Sequence, residues 1–109
     1  METLDLTALK RKALQLRKHI VTMIATAGSG HPGGSLSACD IVTALYFNVL
    51  NHDPKNPKWP DRDRFIMSKG HATGILYSAL AVSGYFPVSF LSTYRKTIVR
   101  YRGIRIVKD

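Results

Sequence analysis

The chain has 109 residues, 45% of them hydrophobic, one cysteine and a formal net charge of +9. That length gives room for one small domain with one modest core, and the apolar fraction excludes disorder throughout. No apolar run reaches the ~20 residues that span a bilayer, the N-terminal basic residues do not precede a signal-type apolar stretch, and the lone Cys39 excludes an internal disulfide and fits a reducing compartment.

Leu9, Ala13, Leu16, Ile20, Met23, Ile24 and Ala27 recur at helical spacing and predict a first helix over Leu6–Ala27. Lys10, Arg11, Arg17 and Lys18 fall on another face as a solvated stripe. Asp5 is the expected N-cap, and Gly28 the expected stop. The glycine-rich AGSGHPGGSL follows, and Ser35 is expected to cap a second helix over 36–50. Leu36, Ile41, Val42, Leu45, Tyr46 and Val49 make that helix apolar on most sides, so it should be buried. Pro54, Pro57 and Pro60 make 53–61 an irregular surface loop, with Asp61, Arg62, Asp63 and Arg64 as its solvated end. His52 beside this loop, like His19 in the first helix, reads as structural.

Arg64-Phe65-Ile66-Met67-Ser68 reads as a short buried strand. Lys69-Gly70-His71-Ala72 turns into a third helix, marked by Ala72, Ile75, Leu76, Ala79, Leu80 and Val82 and ended by Gly84. Pro87 opens a fourth helix through about residue 96. Beyond it, 97–102 is compatible with more helix and Ile104–Val107 alternates as a strand. From Arg95 on, Arg95, Lys96, Arg100, Arg102, Arg105 and Lys108 stand against Asp109 alone. Such a tail holds nucleic acid or anionic lipid by charge, or is a solvated end.

Two histidine segments could carry chemistry. In Ser68-Lys69-Gly70-His71-Ala72 a strand, a glycine turn and a helix start follow one another, which is a common anion site. Gly70 lets a ligand approach, and His71 can donate to a phosphate oxygen; the bland alternative is a turn glycine and a polar cap residue. In Gly30-His31-Pro32-Gly33-Gly34, Pro32 restricts His31 to an extended backbone, and the glycines permit positive φ and remove bulk. The result is either a fixed imidazole beside an open notch, able to bind a hydroxyl or move a proton, or a plain connector. Cys39 reads as a core residue, no cluster has metal-ligand spacing, and no glycine-rich phosphate-loop motif is present.

The order of these segments is specific. Ser29-Gly30-His31-Pro32-Gly33-Gly34-Ser35-Leu36-Ser37-Ala38-Cys39-Asp40-Ile41, then Asp61-Arg62-Asp63-Arg64-Phe65-Ile66-Met67-Ser68-Lys69-Gly70-His71-Ala72, then Leu76-Tyr77-Ser78-Ala79-Leu80, resembles the N-terminal part of transketolases over roughly 9–96. It is most similar to the separate N-terminal subunit of split members. The resemblance implies an α/β thiamine diphosphate-binding fold, of which the part present would be mostly α-helical with one short strand. It implies transfer of a two-carbon ketol unit between sugar phosphates, with thiamine diphosphate and Mg²⁺ as cofactors. It places His31, with Ser29 and Gly30, on the substrate side as the catalytic position, and His71 with Gly70 on the cofactor's diphosphate. It implies a C-terminal transketolase subunit or a homodimer partner; the cysteine count and the short apolar runs add the expectation of a cytoplasmic location and no membrane, and nucleic acid is not the expected partner.

The family's Gly-Asp-Gly metal motif, its second Gly-His-Pro segment and its activating glutamate do not occur in the sequence. The expectation is therefore no transketolase activity for this chain alone. After Lys96 the residues leave the family pattern, which divides the chain into 1–96 and a basic tail over 97–109 and predicts a truncation or frame shift near Thr97. Two other readings stay open: a fragment of another thiamine diphosphate enzyme such as 1-deoxyxylulose-5-phosphate synthase, or a non-catalytic basic binding protein.

Overall fold

The computed structural model describes residues 4–27, 32–68, 73–93, 98–101 and 104–107. The first helix, α1, spans Leu6–Ala27 as its periodicity predicts. Asp5 caps it: the Asp5 carboxylate accepts from the Ala8 N–H at 2.8 Å, satisfying a donor that has no partner inside the helix. The α1 face bearing Ala13, Leu16, Ile20 and Met23 is buried.

The second helix, α2, spans Pro32–Ala44 and continues as a π-helical turn, Leu45–Val49. It starts earlier than expected, so Ser35 lies within its first turn and is not its N-cap. Cys39, Val42, Tyr46 and Phe47 reach the core, whereas Ile41 is 66% and Val49 61% exposed. The expectation of burial on most sides is thus corrected to burial on one. Composition cannot separate a two-sided helix from a one-sided one that also carries surface apolar residues.

Helices α1 and α2 form an antiparallel pair. Leu4 N–H donates to the Phe47 carbonyl at one end, the Cys39 thiol donates to the Ala13 carbonyl in the middle, and Arg17 pairs with Asp40 at 2.7 Å. The expected solvated stripe on α1 therefore loses Arg17, which ties the two helices together on the surface.

The third helix, α3, spans Thr73–Ser83 and lies deepest: Gly74, Ile75, Tyr77, Ser78, Ala79, Leu80 and Ala81 are all buried. Gly84 ends it at φ 105°, the only positive-φ glycine among the described residues. After Pro87 the chain makes a 3-10 helix, Val88–Thr93, in place of the expected longer α-helix. It seats Leu91 in the core.

Residues 64–68 do not form the expected buried strand. Phe65 and Met67 pack against the core, but Ile66 is 87% exposed and no described strand pairs with the segment. A strand needs a ladder partner, which periodicity alone does not reveal. Among the described residues the strands are β1 (Ile98–Tyr101) and β2 (Ile104–Val107), an antiparallel pair with Ile98 opposite Val107 and Arg100 opposite Arg105. The alternation of 104–107 is borne out, and 98–101 is strand, not helix.

The proline-rich loop is closed at its neck. Asp63 N–H donates to the Asn51 carbonyl at 2.7 Å, and Asn51 N–H donates to the Asp63 carboxylate at 2.8 Å. Within it, Lys55 N–H donates to the Asp53 carboxylate, and the Arg62 guanidinium donates to the Trp59 carbonyl. Asp63 is therefore a closing residue and not only part of a solvated end.

Candidate functional site

Five residues singled out in the sequence, Ser29, Gly30, His31, Gly70 and His71, lie outside the described residues. What the structure describes is the ground on which their segments end. His31 directly precedes α2, and His71 stands two residues ahead of α3.

The opening turns of these two helices abut. Ser35, in the first turn of α2, is fully buried, and its hydroxyl accepts the Ile75 N–H of α3 at 3.3 Å. Ser35 thus caps α3 across forty residues of chain instead of capping its own helix. The first amides of a helix lack internal acceptors, so this contact satisfies one of them. Gly74 makes the approach possible: a Cβ there would stand 2.8 Å from the Ser35 oxygen. Beside it the Thr73 hydroxyl is buried without a hydrogen-bond partner.

Gly33 also lies in the first turn of α2, and a Cβ there would meet nothing within 4 Å. Packing against the described residues does not require this glycine. Neither does backbone geometry: Gly33 is helical and does not use the positive φ that a glycine permits.

The described side chains near these turns are otherwise structural. Cys39 is fully buried, and burial pushes its thiol pKa up, with the Thr43 hydroxyl opposing. The Asp40 carboxylate raises the Arg17 pKa through its hydrogen bond. Ser78 donates to the Met23 sulfur at 3.8 Å, pinning α3 to α1. Among the described residues no group of three or more His, Cys, Asp or Glu could hold a metal ion. No described helix is long and apolar enough to cross a membrane.

Sequence reasoning placed His52 in a turn but missed its partners. It is buried, with Nδ1 2.6 Å from the Tyr85 hydroxyl and Nε2 2.7 Å from the Tyr46 carbonyl. Desolvation raises both phenol pKa values to about 12, and Asp53 adds to the effect on Tyr85. The only available sequence signal was a histidine immediately after a predicted helix end, where carbonyls lack partners.

Residues 9–103 match the family model described as transketolase, thiamine diphosphate binding domain. The 6-deoxy-6-sulfo-D-fructose transketolase subunit SqwG of Clostridium sp. strain MSTE9 is 48% identical over 88 residues, 81% of this chain and 32% of that protein. An apulose-4-phosphate transketolase subunit of Actinobacillus succinogenes is 45% identical over 96 residues, 87% of this chain and 35% of its own. The transketolase of Treponema pallidum is 45% identical over 78 residues, 72% of this chain and 12% of that protein. This chain therefore spans about a third of the length of the first two relatives. The family is consistent, at the coarse level, with the α/β class expected from the sequence. The extent of the family match and the identity of these relatives establish that the chain belongs to the transketolase family, within its N-terminal thiamine diphosphate-binding domain.

Proposed function

We propose that the chain forms the N-terminal, cofactor-side section of a transketolase that moves a two-carbon ketol unit between sugar phosphates. The observation that carries this reading is the Ser35–Ile75 hydrogen bond, which holds the first turns of α2 and α3 together at the ends of the two histidine segments. The N-terminal turns of two helices favour anionic ligands, because their amides lack internal acceptors and their dipoles point positive charge outward.

The residues present fit the diphosphate. The first turn of α3, with His71 and Gly70 ahead of it, would hold the diphosphate group, and the buried Thr73 hydroxyl lies in the same turn with hydrogen-bonding capacity unused. The open space at Gly33 supports clearance for a substrate beside His31, with Ser29 and Gly30 as channel wall. Thiamine diphosphate, when bound, supplies carbanion stabilisation. His31 would orient the sugar through its imidazole and exchange a proton with a substrate hydroxyl near neutral pH. No Mg²⁺ ligand is assigned to this chain, whose sequence lacks the family's Gly-Asp-Gly motif.

The remaining assignments follow from this reading. The chain acts in the cytoplasm, within the pentose phosphate pathway, with a C-terminal transketolase subunit or a homodimer partner, and by itself does not turn over. Residues 1–96 carry the motifs of the family portion and 97–109 form a basic tail, into which the family match runs as far as residue 103. Transketolase names among the matched relatives favour this reading over 1-deoxyxylulose-5-phosphate synthase.

The test mixes the full chain with a C-terminal transketolase subunit, thiamine diphosphate and Mg²⁺ and measures ketol transfer. Activity only in the mixture, lost in His31→Ala and accompanied by weaker cofactor binding in His71→Ala, is the expected result. Turnover by the chain alone would refute the incomplete-site reading. Unchanged cofactor binding in His71→Ala would refute the diphosphate assignment.

A further inference from the structure

The contact between the first turns of α2 and α3 is dry and has no slack. Ser35 and Ile75 are both fully buried, and the Ser35 hydroxyl accepts the Ile75 N–H at 3.3 Å. A Cβ on Gly74 would stand 2.8 Å from that hydroxyl and 3.5 Å from Met23 Cε, so the start of α3 rests against both α2 and α1. One turn on, the Ser78 hydroxyl donates to the Met23 sulfur. A buried donor that loses its acceptor here has no solvent to turn to. Spacing along the chain gives the contact its reach: His31 stands four residues before Ser35, and His71 four residues before Ile75.

We propose that Ser35 is a positioning residue, which sets the substrate-side and cofactor-side histidine segments relative to one another. The inference rests on the function proposed above and deepens it: one buried hydroxyl, out of reach of either ligand, governs the binding of both. A helix start is the least restrained part of a helix, because its first amides lack internal acceptors. For α3 the acceptor at Ile75 is supplied from outside, by Ser35. Removing it loosens the turn into which His71 leads. The same side chain lies in the turn into which His31 leads, so a displacement of one start is felt by the other. Gly74 sets their separation: without a Cβ the two turns close onto the hydroxyl, and a methyl there must drive them apart. Small shifts suffice, because the positioning of reacting groups is sensitive to displacements on the order of 1 Å.

The experiment mixes the full chain with a C-terminal transketolase subunit and Mg²⁺. It measures the Kd of thiamine diphosphate and, at saturating cofactor, the KM of the sugar phosphate. Ser35→Ala should raise both by about threefold to tenfold, the span of one neutral hydrogen bond. Ser35→Cys, with a weaker acceptor, should fall between, and it carries the comparison if Ser35→Ala loses its helices by circular dichroism. Gly74→Ala should raise both further, and the double variant should fall back to the level of Ser35→Ala, since the clash is with the oxygen. Gly84→Ala, strained at the far end of α3, is the control: it should lower the thermal midpoint and leave both constants unchanged. A merely structural role for Ser35 would lower the folded fraction, and with it binding amplitude and kcat, without raising Kd or KM. Unsubstituted chains that neither bind cofactor nor transfer ketol units in the mixture overturn the functional reading, and this inference with it. A working mixture in which the Ser35 variants leave either constant unchanged, or in which Gly84→Ala raises both equally, overturns the inference alone.

Discussion

His52 accepts a hydrogen bond from Tyr85 across 2.6 Å, and the two rings lie nearly parallel with centroids 5.6 Å apart. The tautomer follows from the other side of the imidazole. Nε2 faces the Tyr46 carbonyl, which can only accept, so in the neutral ring Nε2 carries the proton and Nδ1 takes the phenol's. Tyr46 lies within the π-helical turn at the end of α2, where carbonyls lack helical partners, and His52 fills that need. Tyr85→Phe removes the donor and leaves Nδ1 buried and unpaired. The expected loss is about 1–3 kcal/mol of stability, read as a lower urea midpoint at unchanged slope.

The same cluster sets the alkaline behaviour. Tyr46 and Tyr85 ionise near pH 12 in the folded chain and near the ordinary value of 10 once unfolded. Above pH 10 the unfolded state releases these protons first, so it binds fewer of them and stability falls as pH rises. The stabilisation is complete below pH 10 and is lost through about pH 12. An ultraviolet phenol titration should show two late-ionising tyrosines in the native chain and none in denaturant. A native titration with every phenol ionising near the ordinary value would contradict the buried cluster.

Gly74 and Ser35 should behave as a coupled pair. Gly74→Ala forces a methyl to 2.8 Å from the Ser35 oxygen and should cost about 1–3 kcal/mol. Ser35→Ala removes that oxygen but strands the Ile75 N–H, at a cost of about 1–3 kcal/mol. The double variant escapes the clash, so its loss should be smaller than the two single losses combined. Additive losses in a double-mutant cycle would mean that the two helix starts are not in contact.

Gly84→Ala tests the end of α3. At φ 105° a side chain is strained, although the nearest atom, Pro54 Cβ at 3.6 Å, leaves room for a methyl. The cost should therefore come from the backbone, about 1 kcal/mol or more, and appear as a lower thermal midpoint. A neutral result would place Gly84 outside the left-handed region.

Legibility in the sequence followed locality. The α1 helix could be read to the residue because its apolar period and the Asp5 cap are both encoded within a few residues of where they act. Gly84 stood out as the end of α3 for the same reason. Ser35 was misplaced because its acceptor role is decided by Ile75, forty residues on, and a serine before an apolar run looks like a cap in either case. The strand expected at 64–68 failed similarly, since alternation reports which side chains face a core but not whether a neighbour completes the ladder. At the candidate site, the sequence identified the two histidine segments. The contact between the helix starts behind them became visible only in three dimensions.

The closure of 51–63 has a consequence for how this chain can be altered. Because Asn51 and Asp63 knot the backbone at its neck, the proline-rich contents hang as a pouch whose length does not decide where the chain goes next. Residues 55–58 can be lengthened, or carry a grafted label, while Arg64 still departs from the same point with the same heading. The pouch can thus vary in length while Phe65 and Met67 stay seated against the core, provided the knot is kept.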